Sequence, residues 1–285
     1  MSKYVYPESR LPSPATSKLL SLVGENRLVL EIGCALGFQT RSMRQIQNCR
    51  IVGIEIDADA ARQAAPDCEK LIIGDVETVD LDAEIGDDKF DVITFADVLE
   101  HLKAPAAALQ KVRPFLRPGG CVVASIPNIT HCAVIYEMAH GNFEYRSLGL
   151  LDNTHIRFFT RQTVYDIFES SGFQIVSLDR IKSRAEETEF LTTPQTEQDI
   201  RFLEYIKKHN PEAETYQFII KAIAFDDAAA RQSELIATKE ENAQLRLKME
   251  NQVQQIAELQ SKLQWLTSQP GYRLLSKIKR LVKLS

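Results

Sequence analysis

Four continuous apolar runs, RLVLEI, RIVGIEI, KLIIGD and FDVITFA, alternate between residues 27 and 96 with stretches that place apolar residues on one helical face. Runs of this length without internal alternation fit strands buried on both faces, and the interleaved helices supply the cover. The pattern therefore predicts a doubly wound, mostly parallel sheet. Upstream, Ser13 followed by Pro14 opens SPATSKLLSLVG as a capped helix that Gly24 ends. Helices are also expected from about Leu36, near Ala58 to Ala65, in APAAALQKVRPFL, in TRQTVYDIFESSG and in a polar segment through Lys208. RPGG reads as a turn leading into a strand at CVVASIP. FQIVSLDRI and TYQFIIKAIAF complete seven strands, and the long excursion between them suits an antiparallel pair at the sheet edge. Residues 127–160, rich in aromatics, histidine and turn formers, read as a substrate-side insertion laid over a site more than as a core element.

From about Asp226 the pattern changes. With Leu235 at a heptad a position, the a series is Leu235, Asn242, Met249, Ile256, Leu263, and the d series is Thr238, Leu245, Gln252, Leu259, Leu266. Most of these are apolar, and a lone a-position asparagine is the kind of insert that fixes register. Residues 229–268 are expected to form a coiled coil that makes the protein a homo-oligomer; the alternative is a helix folded back on the globular domain. Residues 271–285, GYRLLSKIKRLVKLS after Pro270, hold Arg273, Lys277, Lys279, Arg280 and Lys283 with no acid. That segment reads as a basic amphipathic tail for an anionic membrane or an acidic partner, or as a frayed solubilising end.

Composition narrows the classes. At 285 residues and 44% hydrophobic, the chain can bury a full core in residues 1–226 and still carry an appendage. A net charge of -5 argues against a nucleic-acid-coating surface. The five cysteines include no CxxC pair and read as reduced core thiols. The start, MSKYVYPESR, lacks a leader's apolar stretch, and no run reaches the roughly 20 apolar residues of a membrane span. A cytoplasmic location is expected, with peripheral contact at the inner membrane face through the tail. No cysteine, histidine and acid cluster has metal-ligand spacing, so no metal is expected.

The chemistry gathers around LEIGCALGFQT, at the end of the first apolar run. Its turn, Gly33-Cys34-Ala35-Leu36-Gly37, does not fit the GxGxxG spacing of a dinucleotide fingerprint. Instead, Glu31, Glu55 and Asp75 end successive strands, so each aims a carboxylate at the same crevice. A pyrophosphate would be repelled there. A ligand with an ammonium, a sulfonium, ribose hydroxyls and an adenine amine is suited to it, and S-adenosylmethionine has all four. Val76 and Ile56 would be its apolar walls.

In this order, VLEIGCALGFQT, VGIEIDADAA, IIGDVE, FDVITFADVLEHL, LRPGG and SIPN resemble the class I S-adenosylmethionine-dependent methyltransferases, which have a Rossmann-like fold. GLLDNTHIRFFT resembles bacterial members associated with sugar and surface-polysaccharide assembly. The resemblance covers about residues 25–180 and departs at Ala35, where the family pattern usually has glycine. It implies that Glu31 with the Gly33 to Gly37 turn holds the methionine portion, Glu55 the ribose, and Asp75 with Val76 the adenine. Asp97 would sit beside the methionine amine or the acceptor, and Asp57 would share the ribose. For each acid the alternative is a solvated strand-end or capping carboxylate.

Methyl transfer from a sulfonium needs alignment more than acid catalysis, because the leaving group is neutral. A base near the methyl would help a protonated hydroxyl, and His131, His155 and Asp152 are the candidates. His101, Tyr145 and Arg157 are candidate substrate contacts, with Phe143 beside Tyr145; packing, capping or an Arg157–Asp152 pair are the alternatives. The expected acceptor is a sugar or glycan intermediate. A quinone, small metabolite or protein acceptor is the second reading, and a non-catalytic scaffold with a cofactor-binding fold is the third.

Overall fold

The computed structural model describes residues 13–192 and 194–225, together with scattered positions between 246 and 264. The chain divides into two units, Met1–Phe225 and Asp226–Ser285. In the first, the elements run α1 (Pro14–Val23), β1 (Leu28–Ile32), α2 (Phe38–Gln45), β2 (Arg50–Glu55), α3 (Ala58–Ala64), β3 (Lys70–Ile73), α4 (Leu81–Ile85) and β4 (Phe90–Ala96). A short 3-10 turn, Leu99–His101, precedes α5 (Pro105–Val112), β5 (Leu116–Pro127), α6 (Cys132–Ala139), α7 (Arg161–Ser170), β6 (Phe173–Lys182), α8 (Glu197–His209) and β7 (Thr215–Ala224).

The seven strands form one sheet in the order β3-β2-β1-β4-β5-β7-β6. β1 to β5 pair in parallel, and β7 runs antiparallel to both β5 and β6. The late antiparallel pair is therefore present, with β7 inserted inside and β6 left at the edge. Alternation along each strand divides the core into two layers. Leu30, Ile32, Val52, Ile54, Ile93, Phe95, Val122 and Ala124 share one face with α5 and α7, through Leu109, Val112, Val164 and Phe168. Val29, Ile51, Val92, Val123 and Ile219 share the other with α1 and α2, through Leu19, Leu20, Val23 and Met43. Strands covered on both sides must be apolar throughout, which is why their sequences show no alternation.

Local chemistry sets the boundaries. Ser13 accepts the Thr16 amide with Pro14 at the first helical position, and Gly24 closes α1 at φ 80°. Thr160 and Thr163 form a reciprocal capping box on α7, as Thr196 and Asp199 do on α8. Arg180 grips Glu212 with two bonds of 2.7 and 2.6 Å, and Thr215 donates to the same carboxylate at 2.8 Å. This pins the excursion just before it becomes β7.

Two expectations are corrected. RPGG is not a free turn ahead of a strand: β5 begins at Leu116 and carries the segment through a register shift against β4, with Gly119 at φ 76°. Residues 127–160 are not merely laid over a site. They contain α6, and Cys132, Ala133, Val134, Leu150, Leu151 and Phe159 are all buried. The aromatic and turn residues between α6 and α7 hid a short helix too small to show a clear period.

In the second unit the described positions between Arg246 and Gln264 are helical and exposed. Of the heptad series, these include Met249, Gln252, Ile256 and Leu259. The remaining seam positions and the basic tail lie outside the described residues. Among the described residues no helix is long and apolar enough to cross a membrane.

Candidate active site

The carboxyl ends of β3, β2, β1 and β4 are adjacent, and the strand order reverses between β1 and β4, where such sheets open a crevice. The turn after β1 rises there. Gly33, Ala35 and Gly37 all have positive φ, at 73°, 45° and 79°. A Cβ on Gly33 would lie 2.6 Å from a Val98 methyl, and one on Gly37 would lie 2.8 Å from Ala64 Cα. Glycine is thus required twice, by close packing on the segment after β4 and on α3. Ala35 takes the left-handed conformation despite its side chain.

Two acids hold this turn. Glu55 accepts the Ala35 amide at 2.8 Å with one oxygen and the Asp57 amide at 2.9 Å with the other. Glu31 is 2% exposed and accepts the Thr40 hydroxyl at 2.6 Å. Burial, with a further push from Glu55, raises the Glu31 carboxyl to about 7, against the partial relief of the Thr40 bond. The two carboxylates repel each other across the base of the crevice, so a cation placed between them relieves a standing cost.

The expected cofactor fits these groups. A carboxylate has about four lone-pair positions, and Glu55 spends only two on backbone amides, leaving capacity for ribose hydroxyls. Asp75 accepts the Glu77 amide at 2.8 Å through one oxygen. Val76 is buried beside it. Ile56, 68% exposed, offers an open apolar surface of the kind an adenine ring covers. The start of α2 has no side-chain cap, and the positive end of its dipole favours a ligand carboxylate there.

Other expected residues also hold the scaffold. Asp57 caps α3, accepting from Asp59 and Ala60. Cys34 is buried, with its sulfur close to where a Gly53 Cβ would lie, so only its backbone belongs to the turn. Asp97, at φ 55°, has its carboxylate held by the Ser125 hydroxyl and the Gln217 amide. Gln217, on β7, was not marked by any local motif, and Ser125, on β5, was marked only as the first residue of SIPN, with no role attached.

His131 is the clearest correction. It is fully buried at the start of α6; Nδ1 accepts the Ala133 amide at 3.2 Å and Nε2 donates to the Ser183 carbonyl at 3.0 Å. Burial lowers its pKa, which keeps the ring neutral. With both nitrogens engaged, His131 is a helix cap and not a base.

The remaining candidates converge. Ile156 and Arg157 amides both donate to the Glu100 carbonyl at 3.0 Å, and the Arg157 guanidinium donates to the Lys103 carbonyl. These bonds clamp residues 155–157 onto residues 100–103. His101 Nδ1 lies 3.1 Å from both the carbonyl and the hydroxyl of Thr154, and Asp152 in turn accepts the Thr154 hydroxyl at 2.7 Å. His155 stands edge-on to His101 at 4.9 Å. From this pair, ring contacts continue outward from His155 to Phe158 at 6.4 Å, Phe143 at 6.4 Å and Tyr145 at 5.6 Å. Phe143 and Tyr145 are 44% and 56% exposed. Glu100, which no spacing argument singled out, is buried at the inner end of this line; burial and the nearby Asp97 hold its carboxyl well above the usual carboxylate range. The one available signal was its place beside His101 in the turn DVLEHL.

The fold and the acidic crevice define an α/β domain for a cationic nucleoside. A family model described as a methyltransferase domain matches residues 8–178, more than half of the chain. The chain belongs to this family, the class I S-adenosylmethionine-dependent methyltransferases that its motifs resemble. It is 25% identical over 163 residues to a ubiquinone biosynthesis O-methyltransferase from Aeromonas salmonicida, covering 56% of this chain and 67% of that protein. It is 30% identical over 156 residues to the protein of the same name from Cereibacter sphaeroides, covering 52% and 60%. For the Serratia proteamaculans protein of that name the match is 28% identical over 106 residues, 36% of this chain and 44% of that protein. The chain thus spans about half to two thirds of the length of these relatives. Among solved structures, a SAM dependent methyltransferase from Archaeoglobus fulgidus matches with a TM-score of 0.52 at 19% identity, covering 73% of this chain and 91% of that one. The cyclase SpnF matches with a TM-score of 0.50 at 15% identity, covering 73% and 80%. At these identities the likeness is one of fold.

Proposed function

We propose that the chain is an O-methyltransferase whose acceptor is a hydroxyl on an aromatic, partly apolar ring of the quinol class. The carrying observation is the line of rings from exposed Tyr145 through Phe143 and Phe158 to His155 and His101. Such a line favours a flat apolar ring over a polyhydroxylated one, which would call for a dense set of hydrogen-bond partners. The names of the curated relatives support the same acceptor class. The sugar acceptor expected from GLLDNTHIRFFT finds no support in those relatives.

S-adenosylmethionine supplies a methyl group on a positively charged sulfur. The chain's part is to bind, align and exclude water. Glu31 and Glu55 attract the cationic portion, and Glu55 takes the ribose. The N-terminal end of α2 would take the carboxylate, and Val98 closes the crevice floor over Gly33. Alignment of this kind is worth on the order of 7–11 kcal/mol of the barrier.

The test is incubation of labelled S-adenosylmethionine with catechols and hydroquinones in one arm and sugar nucleotides and lipid-linked glycans in the other. Label is expected in the phenolic ether, Glu55→Ala should abolish it, and Tyr145→Ala should raise KM more than it lowers kcat. Label in glycans alone would overturn the acceptor assignment.

A further inference from the structure

Glu100, His101 and His155 bring one possible ligand atom each within 4.8 Å of the others. Glu100 and His101 are neighbours in the turn after β4, whereas His155 comes from the segment between α6 and α7; sequence spacing shows no such trio. Glu100 is 1% exposed, and neither of its carboxylate oxygens has a hydrogen-bond partner among the described residues. Buried carboxylates are paired, hydrogen-bonded or bound to metal, because an isolated one is too costly to keep. The nitrogen facing it is His155 Nε2, 4.0 Å from Oε1. That is too long for a hydrogen bond, and it is a gap that two metal–ligand bonds of about 2.1 Å can span.

The two rings are already set for this task. His155 Nδ1 faces the Leu150 carbonyl at 3.2 Å, and His101 Nδ1 faces the Thr154 carbonyl at 3.1 Å. A carbonyl only accepts, so in both rings Nδ1 carries a hydrogen, and the neutral form of each ring then presents its lone pair at Nε2. Such outer bonds orient metal-binding histidines and fix their tautomer. Asp152 braces the arrangement from behind, by accepting the Thr154 amide and hydroxyl at 2.8 and 2.7 Å.

We propose that Glu100, His101 and His155 bind a single divalent transition-metal cation beside the cofactor crevice. Two imidazoles and one carboxylate suit Zn2+, Mn2+ or Fe2+ better than Mg2+ or Ca2+, which prefer oxygen ligands. Three protein ligands leave coordination positions open. Val98, two residues before Glu100, packs against Gly33 of the cofactor turn, which puts the open positions next to the crevice. The role of the cation rests on the methyltransferase reading above. The acceptor hydroxyl takes an open position, and its proton passes to solvent water. An oxygen lone pair then forms the new C–O bond as the C–S bond breaks and its electrons return to sulfur. The cation thereby does the work expected of a histidine base.

The experiment uses the full-length, tag-free chain stripped with EDTA, without S-adenosylmethionine. Zn2+ and Mn2+ are titrated by calorimetry, and Co2+ by its visible absorption. One equivalent should bind, the melting temperature should rise with cation concentration, and Co2+ should show the bands of a nitrogen-containing site. Glu100→Gln and His155→Gln should each weaken binding at least about tenfold. Glu100→Gln should melt no lower than the natural chain in EDTA, since the amide removes a buried acid without changing its shape. Absence of binding to the natural chain, or equal binding by both variants, would overturn the site; a preference for Mg2+ would overturn the cation class. S-adenosylmethionine affinity, measured in parallel on the stripped chain, separates the two readings: its loss would sink the methyltransferase assignment and leave the metal result standing.

Discussion

At the scale of single residues, the crevice stores energy that its ligand relieves. Burial pushes the Glu31 carboxyl from its ordinary value near 4.5 up to about 7, so the fold holds its proton more tightly than the unfolded chain does. The stability this contributes is present below pH 4.5 and is lost as pH rises through about 7, a loss of up to about 3 kcal/mol. Glu31→Gln should flatten that fall in thermal melts between pH 5 and 8. A cationic ligand favours the ionised form. Cofactor binding near pH 6 should therefore release a proton, seen as a buffer-dependent heat in calorimetry, and Glu31→Gln should lose it. Ala35 offers a second test. Its left-handed backbone costs a non-glycine residue about 1–2 kcal/mol, part of which glycine would return as extra unfolded-chain entropy. Ala35→Gly should therefore stabilise the chain by about 0.5–1 kcal/mol in denaturant titrations. Glu31 and the turn were legible from residue type and order alone, because strand-end acids and glycine punctuation are local signals. The burial that perturbs Glu31 was not legible, since it depends on what covers the acid.

At the scale of elements, caps and packing decide roles that residue type leaves open. A histidine suits a base, a ligand or a cap equally well, and only its neighbours choose. His131 caps α6, so His131→Ala should cost about 1–2 kcal/mol while leaving turnover per folded molecule unchanged, and His131→Asn should restore most of the stability. Gly33→Ala should cost about 2–4 kcal/mol and weaken cofactor binding, because a Cβ there meets Val98 at 2.6 Å in a backbone region that already disfavours side chains. Strands β1, β2 and β4, with helices α1 and α7, were legible through unbroken apolar runs and capping residues. α6 was not, because eight residues between a proline-asparagine turn and a glycine give too little period to read.

At the scale of the whole molecule, the tail is expected to set the assembly. Met249, Ile256 and Leu259, at a, a and d of the heptad register, are each more than half exposed. Removing residues 229–285 should reduce the solution mass to a monomer by light scattering while leaving cofactor affinity intact. An unchanged oligomeric state would overturn the coiled-coil expectation.

Hydrophobic period, caps and strand-end acids were enough to determine a doubly wound sheet and the ligand charge its crevice accepts, because each depends on residues near one another in the chain. Only the tertiary structure decided where β7 inserts, which histidine is a cap, and that Glu100 and His101 meet His155. Those outcomes depend on contacts between segments far apart in sequence, where burial and hydrogen-bond geometry, not residue identity, assign the role.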